Sequence, residues 1–474
     1  MNRLKALARL CALREGTARR ISRERPFPVS DKPAVLIPIL MAGEAPSLFA
    51  LGIGDGYGPV SVHVCVNPRN RELQYQMLEG AAARLTPILN VWERDPSMMP
   101  QVITPSFDGQ RLYLAVIDRM AFLPTNPSLR ALGRRMYWLM REFERPDSAA
   151  LLDMPSALSQ LYATGQDDIA DMHLAAFLEW LKPADGNIIA RVQEAEALSV
   201  STATDPVFDN EILVPLFDAY TAAMNADDQR AAAENEAEIR RFMTDEIERR
   251  YELVTQALTI VRSFPGSALA DEIQALVRKR FDRNQDYVSN DEARISRGFH
   301  GTAATMEFLG REIIMDRLEA LSVRSVSAAS GKARLSGTMV EGRIVEAYET
   351  PVPRKTIYEY DVHTPQEILA IRERDRLVLL NTDEFKFRVT DVQLAPQGGS
   401  IISLQMIKGM RNPTKPRNGQ SVVLMPPLAD SFQIGRTMGM SKERLDVLIQ
   451  RQPVQGTAPV RHDLLSTMSR LRGR

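Results

Sequence analysis

The segment FKFRVTDVQLAPQGGSIISLQMI, residues 385–407, contains two short runs of alternating residues on either side of a glycine-rich turn. Alternation with a period of two is typical of β-strands that bury one face. Four similar runs surround this segment, separated by Pro, Asn and Gly. The six predicted strands are residues 338–348, 356–362, 376–380, 385–394, 401–407 and 421–425. Six short strands at this spacing predict a small β-barrel of SH3-like or OB-like type over residues 332–428.

Residues 128–325, upstream of the barrel, have helical spacing almost throughout, with proline between the runs. The longest run free of Pro and Gly lies between Asn225 and Phe264. Its apolar residues step by three or four and form one stripe, which consists of Ile239, Phe242, Met243, Ile247, Tyr251, Val254, Leu258 and Val261. This pattern predicts a long helix that packs on a partner, either residues 208–224 of the same chain or a second copy in a coiled coil.

Residues 31–127 mix both periods and predict an α+β domain. Strands are predicted at residues 34–39, 48–52 and 60–66, followed by a helix over residues 71–92. A second hairpin is predicted from strands at residues 101–104 and 111–117, because Asp108-Gly109 lies between them. The run LGIGDGYGP, residues 51–59, predicts a glycine-rich hairpin turn instead of a nucleotide loop, because proline and a strand follow it where a dinucleotide loop opens a helix.

The two ends of the chain are basic. Residues 1–30 predict a basic amphipathic helix, with leucines at positions 4, 7, 10 and 13. We expect this helix to dock through its leucine stripe; binding of nucleic acid or an acidic partner, a membrane-surface anchor and targeting remain alternatives. Residues 429–474 predict a closing helix, residues 441–450, and a basic tail. The predicted fold class is therefore α+β multidomain, with an N-terminal α+β unit, a central all-helical region and a C-terminal small β-barrel.

The composition excludes several classes of protein. The 474 residues include 59 Lys and Arg against 60 Asp and Glu, and 44% are hydrophobic, which excludes wholesale disorder and a polycation. Two cysteines cannot form a disulfide framework, so a reducing, cytoplasmic location is expected. The longest strongly apolar run, residues 34–42, is about half the length of a membrane helix, so no membrane span is expected.

The charges are segregated along the chain. Residues 147–325 carry 32 acidic and 17 basic side chains, whereas residues 1–146 carry 13 and 20, and residues 326–474 carry 15 and 22. Such segregation is typical of a protein that meets charged partners.

Catalytic and metal-binding patterns are weak. His63 and Cys65 share a strand face, but two ligands do not make a zinc site. Glu384 and Lys386, with Asp361 upstream, have the outline of a magnesium-dependent nuclease site, a pattern that is also common on solvated strands. The sequence therefore predicts no catalytic residue, no metal site and no cofactor.

The clearest candidate site is a basic loop in the predicted barrel. No acidic residue occurs between Asp391 and Asp430, and the loop carries Lys408, Arg411, Lys415 and Arg417. Small barrels bind polyanions through such loops, and Tyr358 and Tyr360 would add surfaces on which bases stack. These four basic residues are the predicted nucleic-acid-binding residues, with DNA and RNA undetermined.

The sequence thus predicts a non-catalytic scaffold or adaptor subunit of a larger assembly. We expect other protein subunits as partners, nucleic acid as a further partner of the barrel, and homo-oligomerisation as an option. Two alternatives remain open: a metal-dependent nuclease with a dispersed site, and a self-associating structural protein.

Overall fold

The structure is a computed structural model that describes residues 3–41, 48–143, 145–184, 186–288, 308, 311, 314–315, 317–324, 327–353, 355–380 and 382–427. The chain divides into two compact units, residues 1–295 with 314–428, and residues 296–313 with 429–474. The fold below is that of the first unit. The predicted closing helix and basic tail lie outside the described residues.

A five-stranded mixed sheet forms the N-terminal part of the fold. After the short strand β1 (Arg19–Arg20), its strands are β2 (Ala34–Ile39), β3 (Ala50–Gly54), β4 (Ser61–Val64), β5 (Val102–Thr104) and β6 (Leu151–Asp153), in the order β4-β3-β2-β5-β6. Strands β2, β5 and β6 are parallel, whereas β3 and β4 form an antiparallel hairpin at one edge. Strand β6 and the short β7 (Tyr162–Ala163), which pairs with β1, lie in the segment predicted to be helical. Runs of two or three residues are too short to show alternation.

Helices cover both faces of the sheet and fill the central region. In chain order they are α1 (Arg3–Glu15), α2 (Arg71–Arg94), α3 (Phe107–Ala121), α4 (Pro127–Met136), α5 (Leu139–Glu142), α6 (Met154–Ser159), α7 (Leu174–Leu181), α8 (Ile188–Glu196), α9 (Pro206–Phe208), α10 (Val214–Asn225), α11 (Gln229–Arg262), α12 (Ala268–Val288) and α13 (Ser327–Ser336). A π-helical turn, Asp209–Leu213, joins α9 to α10. None of the helices in the described part of the chain is long and apolar enough to cross a membrane.

The predicted hairpin at Asp108-Gly109 is wrong, because residues 107–121 form α3. The hydroxyl of Ser106 caps this helix by accepting a hydrogen bond from the Gly109 amide at 3.2 Å. Tyr113, Ile117 and Met120 then recur at helical spacing and are buried. Ser106 was the local signal for a helix, and an N-cap followed by a helical stripe outweighs an Asp-Gly pair.

The long helix is confirmed and packs within the chain. Residues 239–261 of α11 bury the predicted stripe against the sheet and against α10, and Phe242 lies 5.5 Å, ring to ring, from Phe208. A Cβ on Gly52 or Gly54 would collide with Ile247 or Tyr251 of α11. These two glycines of the LGIGDGYGP run therefore let the helix approach the strand, while the turn itself follows them, as the predicted hairpin requires.

Helix α1 docks through the face opposite to the predicted one. Arg9 and Ala12 are buried, whereas Leu7 and Leu10 are 59% and 66% exposed. Arg9 donates hydrogen bonds of 2.6 Å and 2.8 Å to Asp168 and Asp171. The expectation of a docked leucine stripe is wrong because this buried ion-pair network fixes the helix orientation.

A second buried ionic network joins α12 to the segment after α5. Arg280 donates hydrogen bonds of 2.6 Å and 2.8 Å to the two carboxylate oxygens of Glu142, and a third of 2.7 Å to Asp147. Burial disfavours ionisation of Asp147, but the hydrogen bonds from Arg145 and the charge of Arg280 outweigh burial and hold its pKa below its usual range. The network therefore stabilises the contact of α12 with the α/β part.

The C-terminal region is a closed six-stranded barrel, as predicted. Its strands are β8 (Val340–Val352), β9 (Lys355–Thr364), β10 (Arg376–Leu379), β11 (Thr382–Leu394), β12 (Ser400–Lys408) and β13 (Ser421–Met425). The order around the barrel is β10-β11-β12-β9-β8-β13, and β13 closes it by pairing with β10. A core that includes Ile344, Val362, Phe387 and Leu404 fills the interior. Helix α13 precedes the first barrel strand and includes residues 332–336, which were predicted as part of the barrel.

Candidate nucleic-acid interface

Strands β8 and β9 extend beyond the barrel as a hairpin. They pair with each other as far as Val352 and Lys355, but β12 pairs with β9 only up to Glu359, and β13 pairs with β8 only up to Arg343. Residues 345–353 and 355–358, the hairpin arm, therefore have each other as their only strand neighbours among the described residues.

The basic loop, residues 409–420 between β12 and β13, holds three of the four predicted basic residues and folds back toward this arm. The Gly419 amide donates to the Ile344 carbonyl at 2.8 Å, and Nε of Arg343 donates to the Gly419 carbonyl at 2.9 Å. Inside the loop, Nζ of Lys415 lies 3.2 Å from the Met410 carbonyl and 3.4 Å from that of Asn412. Backbone acceptors thus fix the loop, although its sequence excludes regular secondary structure.

A groove of about 300 Å³ lies between the hairpin arm and the basic loop. Its lining residues are Ala347, Tyr348, Glu349, Tyr358, Tyr360, Pro413, Lys415, Pro416, Arg417 and Asn418. Nζ of Lys415 lies 4.5 Å from the ring centroid of half-buried Tyr358. The groove therefore combines an aromatic wall with two cations, and Glu349 is its one acidic side chain.

The three tyrosines of the groove have different environments. Tyr348, which the sequence argument missed, is 45% exposed, whereas Tyr360 is buried and packs edge-on against Phe387 at 5.7 Å. Burial raises the pKa of Tyr360 to about 12, so its hydroxyl stays protonated. Tyr360 belongs to the barrel core, and half-buried Tyr358 is the ring that a ligand in the groove can reach. Tyr348 lies opposite Glu359 in the strand register, so its side chain is on the other face of the arm from Tyr358. Tyr348 was detectable in the sequence only as an outward residue of a predicted strand.

The structure brings together two of the four predicted basic residues. Lys415 and Arg417 line the groove, and Lys408 and Arg411 do not. Lys408 ends β12 opposite Lys386, with Nζ 3.4 Å from the Asp383 carbonyl oxygen.

The segment between Asp391 and Asp430, which lacks acidic residues, lies close to carboxylates of other strands. Glu384 accepts a hydrogen bond of 2.8 Å from the Asn412 side chain, and Glu349 lines the groove. The loop is therefore free of acidic residues in sequence only. No carboxylate of the described residues forms an ion pair with Lys415 or Arg417, however.

The strand register separates Asp361 from Lys386, two residues of the possible magnesium-dependent nuclease site. Asp361 lies opposite Ser403, from which it accepts a hydrogen bond of 2.6 Å, whereas Lys386 lies opposite Lys408. Ser403 and Lys408 are five residues apart on β12, which corresponds to about 16 Å. Within the described ranges, no three His, Cys, Asp or Glu side chains are grouped so that they could hold a metal ion.

Comparisons with known proteins gave no matching family model, no matching curated protein and no matching solved structure.

Proposed function

We propose that this protein is a non-catalytic adaptor subunit of a larger assembly and that its barrel binds single-stranded nucleic acid in the groove between the hairpin arm and the basic loop. The observation that carries this proposal is the position of Lys415 over the Tyr358 ring, with Arg417 in the same groove. Proteins that bind single strands combine backbone-tracking cations with aromatic rings on which bases stack.

The shape of the groove favours a single strand over a duplex. Tyr358 presents a ring surface to the groove, and a base can stack on it only when that base is not already stacked within a helix. Duplex bases have both faces covered. The proposed ligand is therefore an unpaired segment, whose phosphates lie near Lys415 and Arg417.

Binding would exchange one contact of Lys415 for another. In the structure its ammonium group covers Tyr358, a contact worth roughly 0.5–1 kcal/mol at an exposed site. A base stacked on an aromatic ring contributes about 1–3 kcal/mol. A base that takes the place of the ammonium group on Tyr358 would release Lys415 to a phosphate, so the exchange favours binding.

Three buried carboxylates that bind arginines within the fold support the adaptor part of the proposal. Glu142, Asp147 and Asp171 are each bonded to arginines in networks that join separate parts of the fold. Such networks stabilise a rigid body on which binding surfaces can be displayed.

The test is fluorescence anisotropy of the full chain with labelled single-stranded DNA and RNA oligonucleotides and with the corresponding duplexes. We expect the single strands to bind more tightly than the duplexes at low salt. Equal or tighter binding of duplex would contradict the groove assignment, and no binding at low salt would eliminate nucleic acid as the ligand.

Two controls address the alternatives. Cleavage of the labelled strand in Mg²⁺ that Glu384→Gln abolishes would favour the nuclease. A mass that rises with concentration in light scattering would favour the self-associating structural protein.

A further inference from the structure

A cleft lies along the open edge of the N-terminal sheet. Strand β4 is the edge strand and pairs only with β3 among the described strands. The Cys65 amide, just after β4, donates to the Phe49 carbonyl at 2.8 Å, so it points toward β3. Because the N–H and C=O groups of one trans peptide point in opposite directions, the Val64 carbonyl points away from the sheet. Alternation along the strand gives the backbone groups of Val62 the same outward direction.

The cleft has a volume of about 420 Å³ and follows five consecutive residues of the edge. Residues 62–66 form its base, α2 forms one wall, and α10 and α11 form the other. The wall residues are Leu73, Gln76, Met77 and Gly80 on one side and Tyr220, Glu236 and Arg240 on the other. The four residues of β4 span about 13 Å, so the cleft has the length of a short extended peptide.

Arg240 forms only a weak contact with the outward-pointing carbonyl of Val64. Its Nη1 is 3.4 Å from the Val64 oxygen, a long hydrogen bond, and its Nη2 forms an ion pair of 2.7 Å with Glu236. A charged side chain at a sheet edge is a device that discourages uncontrolled pairing of that edge. The contact is weak enough for an incoming N–H group to replace it.

The side chains of the cleft do not form a catalytic or metal site. Burial raises the pKa of the Cys65 thiol to about 11, and the thiol donates to the Asn67 carbonyl, so it is not a thiolate. Burial lowers the pKa of His63, whose Nε2 lies 3.0 Å from the Ser61 hydroxyl. Apart from the Arg240–Glu236 ion pair, the cleft therefore offers neutral side chains and outward backbone groups.

We propose that this cleft binds an extended peptide of a partner protein, which adds to the sheet as a further strand beside β4. The outward N–H and C=O groups of Val62 and the carbonyl of Val64 supply hydrogen-bonding groups at strand spacing, and only another extended backbone matches that spacing. One set of alternate peptide side chains would face His63 and Leu73, and the other set would face Tyr220 and Arg240. This site is separate from the barrel groove and recognises a different class of ligand.

The test begins with a phage library of random heptapeptides, selected on the full chain. Selected sequences are then synthesised and titrated against the protein, and hydrogen exchange is measured with and without peptide. We expect protection of the Val62 amide on binding. Affinity should fall at least 10-fold when the central peptide residues are N-methylated, because this change removes backbone donors from the ligand alone.

The matched protein variants are Val62→Pro and Val62→Thr. Proline removes an outward N–H group and leaves the pairing with β3 intact, so we expect it to abolish peptide binding, while Val62→Thr retains it. The groove variant Lys415→Glu/Arg417→Glu should bind the peptides like the wild-type protein, which separates this proposal from the proposed function.

Two results would overturn the proposal. One is that no peptide is enriched over selection on Val62→Pro. The other is that enriched peptides tolerate N-methylation or leave the Val62 amide unprotected. Because N-methylation acts on the ligand, the second result is decisive even if Val62→Pro folds poorly.

Discussion

The cations of the α/β part and those of the barrel groove have opposite surroundings. Arg280 and Arg9 lie among carboxylates in buried networks, and Arg250 is fully buried against the carbonyls of the 201–203 segment. Lys415 and Arg417 line an open groove without a carboxylate ion pair from the described residues, and the main ring contact of Lys415 is Tyr358. The same residue types therefore stabilise the fold in one region and remain available for a ligand in the other. Four predictions test this difference.

The largest effect is expected for Arg280→Met. Removing the guanidinium leaves Glu142 without its ion pair and Asp147 with Arg145 alone, both in buried positions. Breaking a buried ion pair by removing one partner costs about 3–5 kcal/mol. We expect a loss of this size in the free energy of unfolding measured by urea titration. Arg230→Met is the control, since its pair with Glu234 is exposed, and it should change stability by less than about 0.5 kcal/mol. Equal losses in both variants would contradict the comparison.

The same network predicts an acid-sensitive stability. The pKa of Asp147 is lower in the folded state than in the unfolded chain, so its contribution is present above the unfolded pKa and is lost as pH falls through the folded value. The free energy of unfolding should therefore fall as pH decreases below about 4. In Arg280→Met the dependence should be flatter because the pKa shift is smaller. An unchanged slope in the variant would show that Asp147 is not held in the way the geometry indicates.

A smaller loss is expected for Tyr251→Phe. The Tyr251 hydroxyl accepts a hydrogen bond from the Gly56 amide at 3.0 Å and donates one to the Gly58 carbonyl at 2.9 Å. Its loss leaves both backbone groups without this partner at a cost of about 1–2 kcal/mol. Urea titration should show this decrease, with Tyr57→Phe as an exposed control that changes nothing measurable. A neutral Tyr251→Phe would mean that the glycine-rich turn does not depend on α11.

The smallest effect on stability is expected in the groove. The double variant Lys415→Glu/Arg417→Glu removes a cation–π contact and hydrogen bonds within a surface loop. We expect the free energy of unfolding to change by less than about 1 kcal/mol, measured by the same titration. A loss comparable with that of Arg280→Met would show that these cations stabilise the fold and would remove the basis of the comparison.

The barrel could be predicted from the sequence almost strand by strand because its determinants are local. Alternation and turn residues specify β11 and β12, and residues 421–425 match their predicted bounds. The α/β part depends on contacts distant in sequence. The sequence around Leu7 does not indicate that Arg9 binds Asp171. Likewise, the sequence around Gly52 does not indicate that Ile247 packs against this glycine.

The candidate site was predictable only in part for the same reason. The charges of the loop are visible in sequence, and two of the four lie in the groove. Strand register around the closed barrel determines the hydrogen bond between Glu384 and Asn412. It also determines the position of Lys415 over the Tyr358 ring. Strand spacing alone does not specify register.

The salt dependence of single-strand binding tests the central claim most directly. Two phosphate contacts, from Lys415 and Arg417, predict a log-log slope of about −1.4 for a single strand. The slope should approach zero in Lys415→Glu/Arg417→Glu. It should stay near the wild-type value in Lys408→Glu/Arg411→Glu, which changes the same number of charges outside the groove. Equal flattening in both variants, or a wild-type slope that survives the groove variant, would contradict the account.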